Sequence, residues 1–122
     1  MAPNNRRMQK VANQIKTELG LLIEHKLRDP EKGFVTLTHV RLTSDLKLAS
    51  IHFSVLGDEN QRELSGKILK KAIPFLKHEL GERLKLRYIP DLRFFYDDSL
   101  EYSNKIANLL NKIQKDAPNR QE

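Results

Sequence analysis

The stretch "KKAIPFLKHEL" (residues 70–80) sets a proline inside an apolar stripe. Leu64, Ile68, Ala72, Leu76, Leu80 and Leu84 recur four apart, a helical spacing, and Pro74 falls among them. Proline has no backbone N–H, and its ring clashes with the carbonyl four residues back. A helix interior that contains one is destabilised by about 3 kcal/mol. Stripe and proline together predict two helices rather than one, over about residues 61–85, broken at Ala72-Ile73-Pro74 and meeting at an angle across a common support.

The flanking sequence supplies that support. Downstream, "RYIPDLRFFYDDS" (87–99) has a strand core over 92–96, with Pro90 at its start, where a missing ladder donor does least harm. Upstream, "FVTLTHVRL" (34–42) and "LASIHFSVL" (48–56) flank "TSDLK" (43–47) and read as a hairpin, closed off by the turn residues "GDENQ" (57–61). In the second run Ala49, Ile51, Phe53 and Val55 alternate with Ser50, His52 and Ser54, the period of a strand with one buried face. The first run alternates less cleanly, as expected of a strand covered on both sides.

Met8, Val11, Ile15, Leu19, Leu22 and Ile23 place one apolar face on a first helix over about 5–27, which "RDPEKG" (28–33) ends. A last helix over about 99–115 opens on "DSLE" (98–101), a capping box with Asp98 as N-cap. The tail, "DAPNRQE" (116–122), has little to bury and is expected to be flexible. The fold class is therefore α+β, in the order α-β-β-α-α-β plus a C-terminal helix. At least three strands are covered by helices on one face, in a single domain over residues 1–115.

The chain has 122 residues, 39% hydrophobic and 31% charged, with no cysteine, so disulfides, thiolate nucleophiles and Cys-ligated zinc are excluded. It has no apolar run long enough for a transmembrane helix and no apolar core of a secretion signal near its N-terminus, so a cytoplasmic location without membrane contact is expected. Net charge is +6. Between Arg62 and Arg93 nine basic residues face four acidic ones, and Lys67, Lys70 and Lys71 share one helix face with only Glu63 nearby. Uncompensated charge repels itself, and a concentrated positive field is the usual footprint of a phosphate-bearing partner. The candidate RNA contacts are Arg6, Arg7 and Lys10 from the first helix with Lys67, Lys70, Lys71, Lys77, Arg83, Lys85, Arg87 and Arg93.

Catalytic signatures are missing. Asp97 and Asp98 read as helix-capping carboxylates rather than an acid/base pair. His39 and His52 are expected to face each other across the hairpin, but two imidazoles without a third ligand make a poor metal site. With five glycines in the chain there is no phosphate-cradling loop. Neither enzymatic activity nor a cofactor is expected. Phe94, Phe95 and Tyr96 read mainly as core, since the strand must bury one face, with base stacking as the lesser reading.

Three segments, "RRMQKVANQIKTEL" (6–19), "DPEKGFVTLTHVRLTSDLKLASIHFSVLG" (29–57) and "LGERLKLRYIPDLRFFYDDSLEYSNKIANLL" (80–110), in this order and spacing, resemble the ribosome-binding factor A family. The resemblance covers about residues 6–115. It implies a type II KH-like domain, αββααβ, acting in late maturation of the small ribosomal subunit on precursor particles near the ends of the 16S rRNA. Ribosomal proteins are possible further contacts. It also implies a role in growth in the cold and release by an assembly GTPase. The family's helix break is a small Ala-x-Gly kink; here the matching positions are Ala72, Ile73 and Pro74, so proline replaces the glycine. Both residues break a helix, and the exchange moves the expected RNA contacts from close backbone approach to the lysines and arginines around a rigid kink.

The expected function is thus a non-enzymatic assembly factor, working as a monomer, that binds free 30S subunits or their precursors. The alternatives are a basic protein-interaction module and a general RNA-binding domain not specific to the small subunit. A small rRNA-processing nuclease would need a metal or a general base that the sequence does not offer.

Overall fold

In the computed structural model, which describes residues 2–116 and the side chains of 6–99 and 105–113, Pro74 lies at the start of a helix rather than inside one. Helix α2 (Glu59–Lys71) ends and α3 (Ile73–Arg83) begins on either side of Ala72. At φ −85°, ψ −2°, Ala72 serves both helices: its N–H returns to the carbonyls of Ile68 and Leu69 at 3.0 and 3.1 Å, and its own carbonyl accepts from the Leu76 N–H at 2.8 Å. A first-turn N–H has no intrahelical acceptor, so the proline removes nothing that α3 would have used. The cost expected for an interior proline does not arise.

The four-residue stripe is corrected in α2. Steps of four turn about 40° too far around a helix of 3.6 residues per turn, so such a stripe drifts off any one face. In α3 Leu76 and Leu80 are fully buried, as is Ser65 with Leu69 in α2, whereas Leu64 and Ile68 sit on the flank, half-buried. The break at Ala72 resets the phase.

Strands β1 (Phe34–Leu42), β2 (Leu48–Leu56) and β3 (Asp91–Tyr96) form one sheet in the order β1-β2-β3. β1 and β2 are antiparallel, while β2 and β3 are parallel, which makes α2 and α3 the crossover between them. The imperfect alternation of β1 has a different origin from the one expected. It is an edge strand with a bulge: Leu37 pairs with Phe53 and His39 with His52, leaving Thr38 as the extra residue. Before the bulge Val35 and Leu37 turn inward, and after it Val40 and Leu42 do, so the inward parity changes from odd to even.

Helix α1 (Ala2–His25) lays Val11, Ala12, Ile15, Leu19, Leu22 and Ile23 against the inner sheet face and α3. Ile15, Leu19, Leu22, Ile51, Leu69, Leu76 and Leu80 are wholly inaccessible, each contributing about 1.5–3 kcal/mol of burial. The 26–33 loop is secured by polar contacts. The Lys32 ammonium donates to the carbonyls of Ile23 and Leu27 at the C-terminal end of α1, where a cation is favoured. The buried Ser65 hydroxyl donates to the Lys32 carbonyl, and Gln61 Nε2 donates to the Glu31 carbonyl (2.9 Å) and to Ser65 Oγ (3.0 Å). Gly33, at φ +75°, passes so close that an added Cβ would lie 2.6 Å from Gln61 Nε2.

Helix α4 (Ser99–Asp116) follows β3, and Ile106, Leu109, Leu110 and Ile113 along it are 40–56% exposed. Beside Asp98, Asp97 braces the start of α4: its Oδ1 accepts from the Ser99 N–H at 2.9 Å, while Oδ2 accepts from the Thr38 hydroxyl at 2.6 Å. These bonds, the Thr38 hydroxyl foremost, lower the Asp97 pKa to about 2. The side chain of Glu101 and, of the expected flexible tail, residues 117–122 lie outside the described set.

Candidate nucleic-acid interface

The eleven basic residues do not form one surface. Lys67, Lys70 and Lys71 are exposed on α2 and make no ion pair among the described residues. Lys70 and Lys71 occupy the last turn of α2, where positive charge complements the helix dipole. The fold nonetheless supplies carboxylates that the linear sequence hides: Asp29 and Glu31 line the same shallow groove as Lys67 and Lys71.

Two of the expected contacts are engaged elsewhere. Lys77 Nζ lies 2.7 Å from Asp91 Oδ1, and this hydrogen bond is the main cause of the lowered Asp91 pKa. Arg83 pairs with Glu18 at 3.3 Å, tying α3 to α1. Arg62, part of the charge window, lies over the Tyr96 ring at 4.2 Å.

A second basic group forms at the far end of the sheet. Arg7 from α1 and Arg87 from the α3–β3 connection line a groove of about 820 Å³ together with Lys47 and Tyr88. Lys47 was missed in the sequence because it sits in a hairpin turn, outside the charged window. That turn is stiffly built: the Thr43 hydroxyl donates to Asp45 Oδ1 at 2.6 Å, and the Lys47 N–H donates to the same oxygen at 3.1 Å. Both bonds lower the Asp45 pKa, the hydroxyl more. Leu46, at φ +60°, occupies a left-handed conformation that costs a side chain about 1–2 kcal/mol and puts it into the groove. Arg6 and Lys10 on α1, and Lys85 beyond α3, are exposed.

Arg93 lies on the outer face of the sheet, opposite α1, α2 and α3, beside Ser50. Arg41, which no sequence pattern singled out, shares that face through its pairing with Ser50. His39 and His52 meet as expected, with ring centroids 5.8 Å apart. Of the aromatic triplet, Phe94 is core, Tyr96 is half-buried and Phe95 is 45% exposed on the outer face. Among the described residues no three His, Asp or Glu side chains are grouped as metal ligands, and no helix is long and apolar enough to cross a membrane.

The family model for ribosome-binding factor A matches residues 7–110, nearly the whole folded part. The chain belongs to the ribosome-binding factor A family. It is 43% identical over 112 residues to ribosome-binding factor A of Staphylococcus epidermidis, covering 92% of this chain and 97% of that one. With the Staphylococcus carnosus factor it shares 44% over 109 residues, 89% of this chain and 95% of the relative. The crystal structure of ribosome-binding factor A from Thermus thermophilus superposes with a TM-score of 0.66 at 27% identity, over 73% of this chain and 93% of that one. A homology model of the Thermus thermophilus factor, as fitted into a cryo-EM map of its complex with the 30S subunit, matches with a TM-score of 0.63, over the same shares of the two chains and at 27% identity. The α+β fold with four helices and a three-stranded sheet is thus that of ribosome-binding factor A, with Ala72 and Pro74 forming the helix break.

Proposed function

We propose that this chain binds the free small ribosomal subunit or its precursor and assists late maturation of 16S rRNA, as a monomer in the cytoplasm and without catalysis of its own. The observation that carries this reading is the fold shared with the Thermus thermophilus factor fitted in its 30S complex. The exposed lysines beside the helix break, which make no ion pair among the described residues, add the chemistry. Lys67, Lys70 and Lys71 act as movable point charges toward rRNA phosphates, and the folded rRNA supplies specificity through its shape. Arg7, Lys47 and Arg87 form a second phosphate-facing group, with Arg6, Lys10 and Lys85 at its margin. Lys77 and Arg83 contribute mainly through their ion pairs with Asp91 and Glu18. Release by an assembly GTPase and support of growth in the cold are part of the same proposal, as the family resemblance implies.

Sucrose-gradient co-sedimentation with free small subunits, large subunits and joined ribosomes over a salt series tests this. Selective binding to free small subunits is expected, and Lys67→Glu/Lys70→Glu/Lys71→Glu should weaken it and flatten its logarithmic salt slope by about 2–3, at 0.7–0.9 per lost contact. Equal binding to all particles, binding to none, or an unchanged triple variant would refute the reading.

A further inference from the structure

The sheet face turned away from α1, α2 and α3 carries two ordered rows of side chains. His39 is the register partner of His52, and His52 of Phe95. Their ring centroids are 5.8 and 5.5 Å apart, so three rings run without interruption across all three strands. Two residues along each strand, about 7 Å away, the next row is Arg41, Ser50 and Arg93, again in register.

The bulge in β1 builds this arrangement. Were β1 regular, with Thr38 in an ordinary ladder position, His39 would continue the inward parity of Val35 and Leu37 and point into the core. With it, the imidazole joins the ring row and Arg41 joins Arg93. The Thr38 side chain is anchored by Asp97 at 2.6 Å and lies 3.3 Å from the His52 carbonyl, which fixes the bulge beside the rings.

We infer that this outer face binds unpaired nucleotides of RNA, with bases stacking on the His52 and Phe95 rings and phosphates held by Arg41 and Arg93. Every base has a π-face that an exposed ring can meet, and a guanidinium fork matches phosphate geometry. Of the bordering carboxylates, Asp91 is paired with Lys77, whereas Asp97, held by Thr38 and Ser99, keeps its negative charge at the edge near His52; Arg41 and Arg93 supply the positive charge of the face. The site is separate from the α2 lysines and does not rest on the small-subunit reading.

The test is fluorescence anisotropy with a labelled oligouridylate of about ten nucleotides and a duplex RNA of the same length. The variants are Phe95→Leu, His52→Ala, Arg41→Glu/Arg93→Glu and the triple lysine variant, each checked for folding by circular dichroism. Preference for the single strand is expected. Phe95→Leu, which keeps apolar bulk, should weaken it about 5- to 100-fold, the loss of one stacked base. The triple lysine variant should keep the preference, and RNA should shift the ring resonances of His39 and His52 in the parent protein. The inference is overturned by absent binding, by equal binding of duplex, or by Kd values within twofold of the parent for both ring variants. Binding that follows the lysines instead, or a second copy covering the face in sedimentation without RNA, overturns it as well. Absence of oligonucleotide binding by the parent protein with intact small-subunit co-sedimentation refutes this inference alone; oligonucleotide binding without small-subunit co-sedimentation refutes the proposed function alone.

Discussion

Replacing Ser65 by alanine should cost more than any surface change on α2. The hydroxyl is wholly buried and serves two partners, donating to the Lys32 carbonyl and accepting from Gln61 Nε2 at 3.0 Å. Ser65→Ala removes both bonds. Gln61 keeps its bond to the Glu31 carbonyl at 2.9 Å, so its loss is partial, about 0.5–1 kcal/mol. The Lys32 carbonyl is left facing a methyl group, at about 1–2 kcal/mol for a buried acceptor without that donor. The total is about 2 kcal/mol, or roughly 6–12 °C in Tm for a domain of this size. Urea denaturation followed by far-UV circular dichroism measures it, and amide exchange over residues 29–33 should quicken, because the lost bonds hold the loop to α2. Gln61→Ala should cost about half as much, since Ser65 still reaches Lys32, and the double variant less than the sum. A Ser65→Ala variant within 0.5 kcal/mol of the parent, with unchanged loop exchange, would show that water or a shifted backbone satisfies the carbonyl, and the reasoning would fail.

Gly33→Ala should destabilise by about 2 kcal/mol in thermal melts, combining its left-handed φ with displacement of Gln61 from Glu31 and Ser65. Pro74→Ala should cost less than about 1 kcal/mol in urea titration, through greater unfolded-chain freedom alone, because Pro74 sits in the first turn of α3; a loss near 3 kcal/mol or a gain of that size would contradict the joint described at Ala72. Asp97 should titrate by NMR near pH 2, and its contribution, complete above the unfolded value of about 3.9, should disappear as pH falls through about 2. Thr38→Val, which removes the largest cause of that shift, should move the midpoint up toward the ordinary carboxylate range.

Both hairpin strands were legible to the residue, and the helix break was placed correctly, because β-branched runs bounded by turns and a proline within an apolar stripe are local signals. What the sequence did not show is how little the break costs, since a helix start and a helix interior look alike until the caps are known. The bulge at Thr38 showed only as poor alternation, which a doubly covered strand imitates. Ser65 and Lys32 were invisible for a different reason: a small hydroxyl and a loop lysine carry no pattern, and their partners are 33 residues away or on a helix end. The basic window picked out the exposed lysines of α2, but linear counting grouped Lys77 and Arg83 with them and left Lys47 and Arg41 out, because ion pairs and sheet register are properties of the fold.

A sheet of three strands has two unprotected borders, and an open border is a template on which another chain can add a strand. Here neither border offers a long straight row of free amides. On β1 the extra residue at Thr38 interrupts the ladder and twists the strand halfway along. On β3 only six residues are in sheet, bounded by Pro90 before Asp91 and by the carboxylates of Asp97 and Asp98. The residue that orders the outer face thus also guards the domain against edge-to-edge aggregation, and straightening β1 by deleting Thr38 would expose the protein to it.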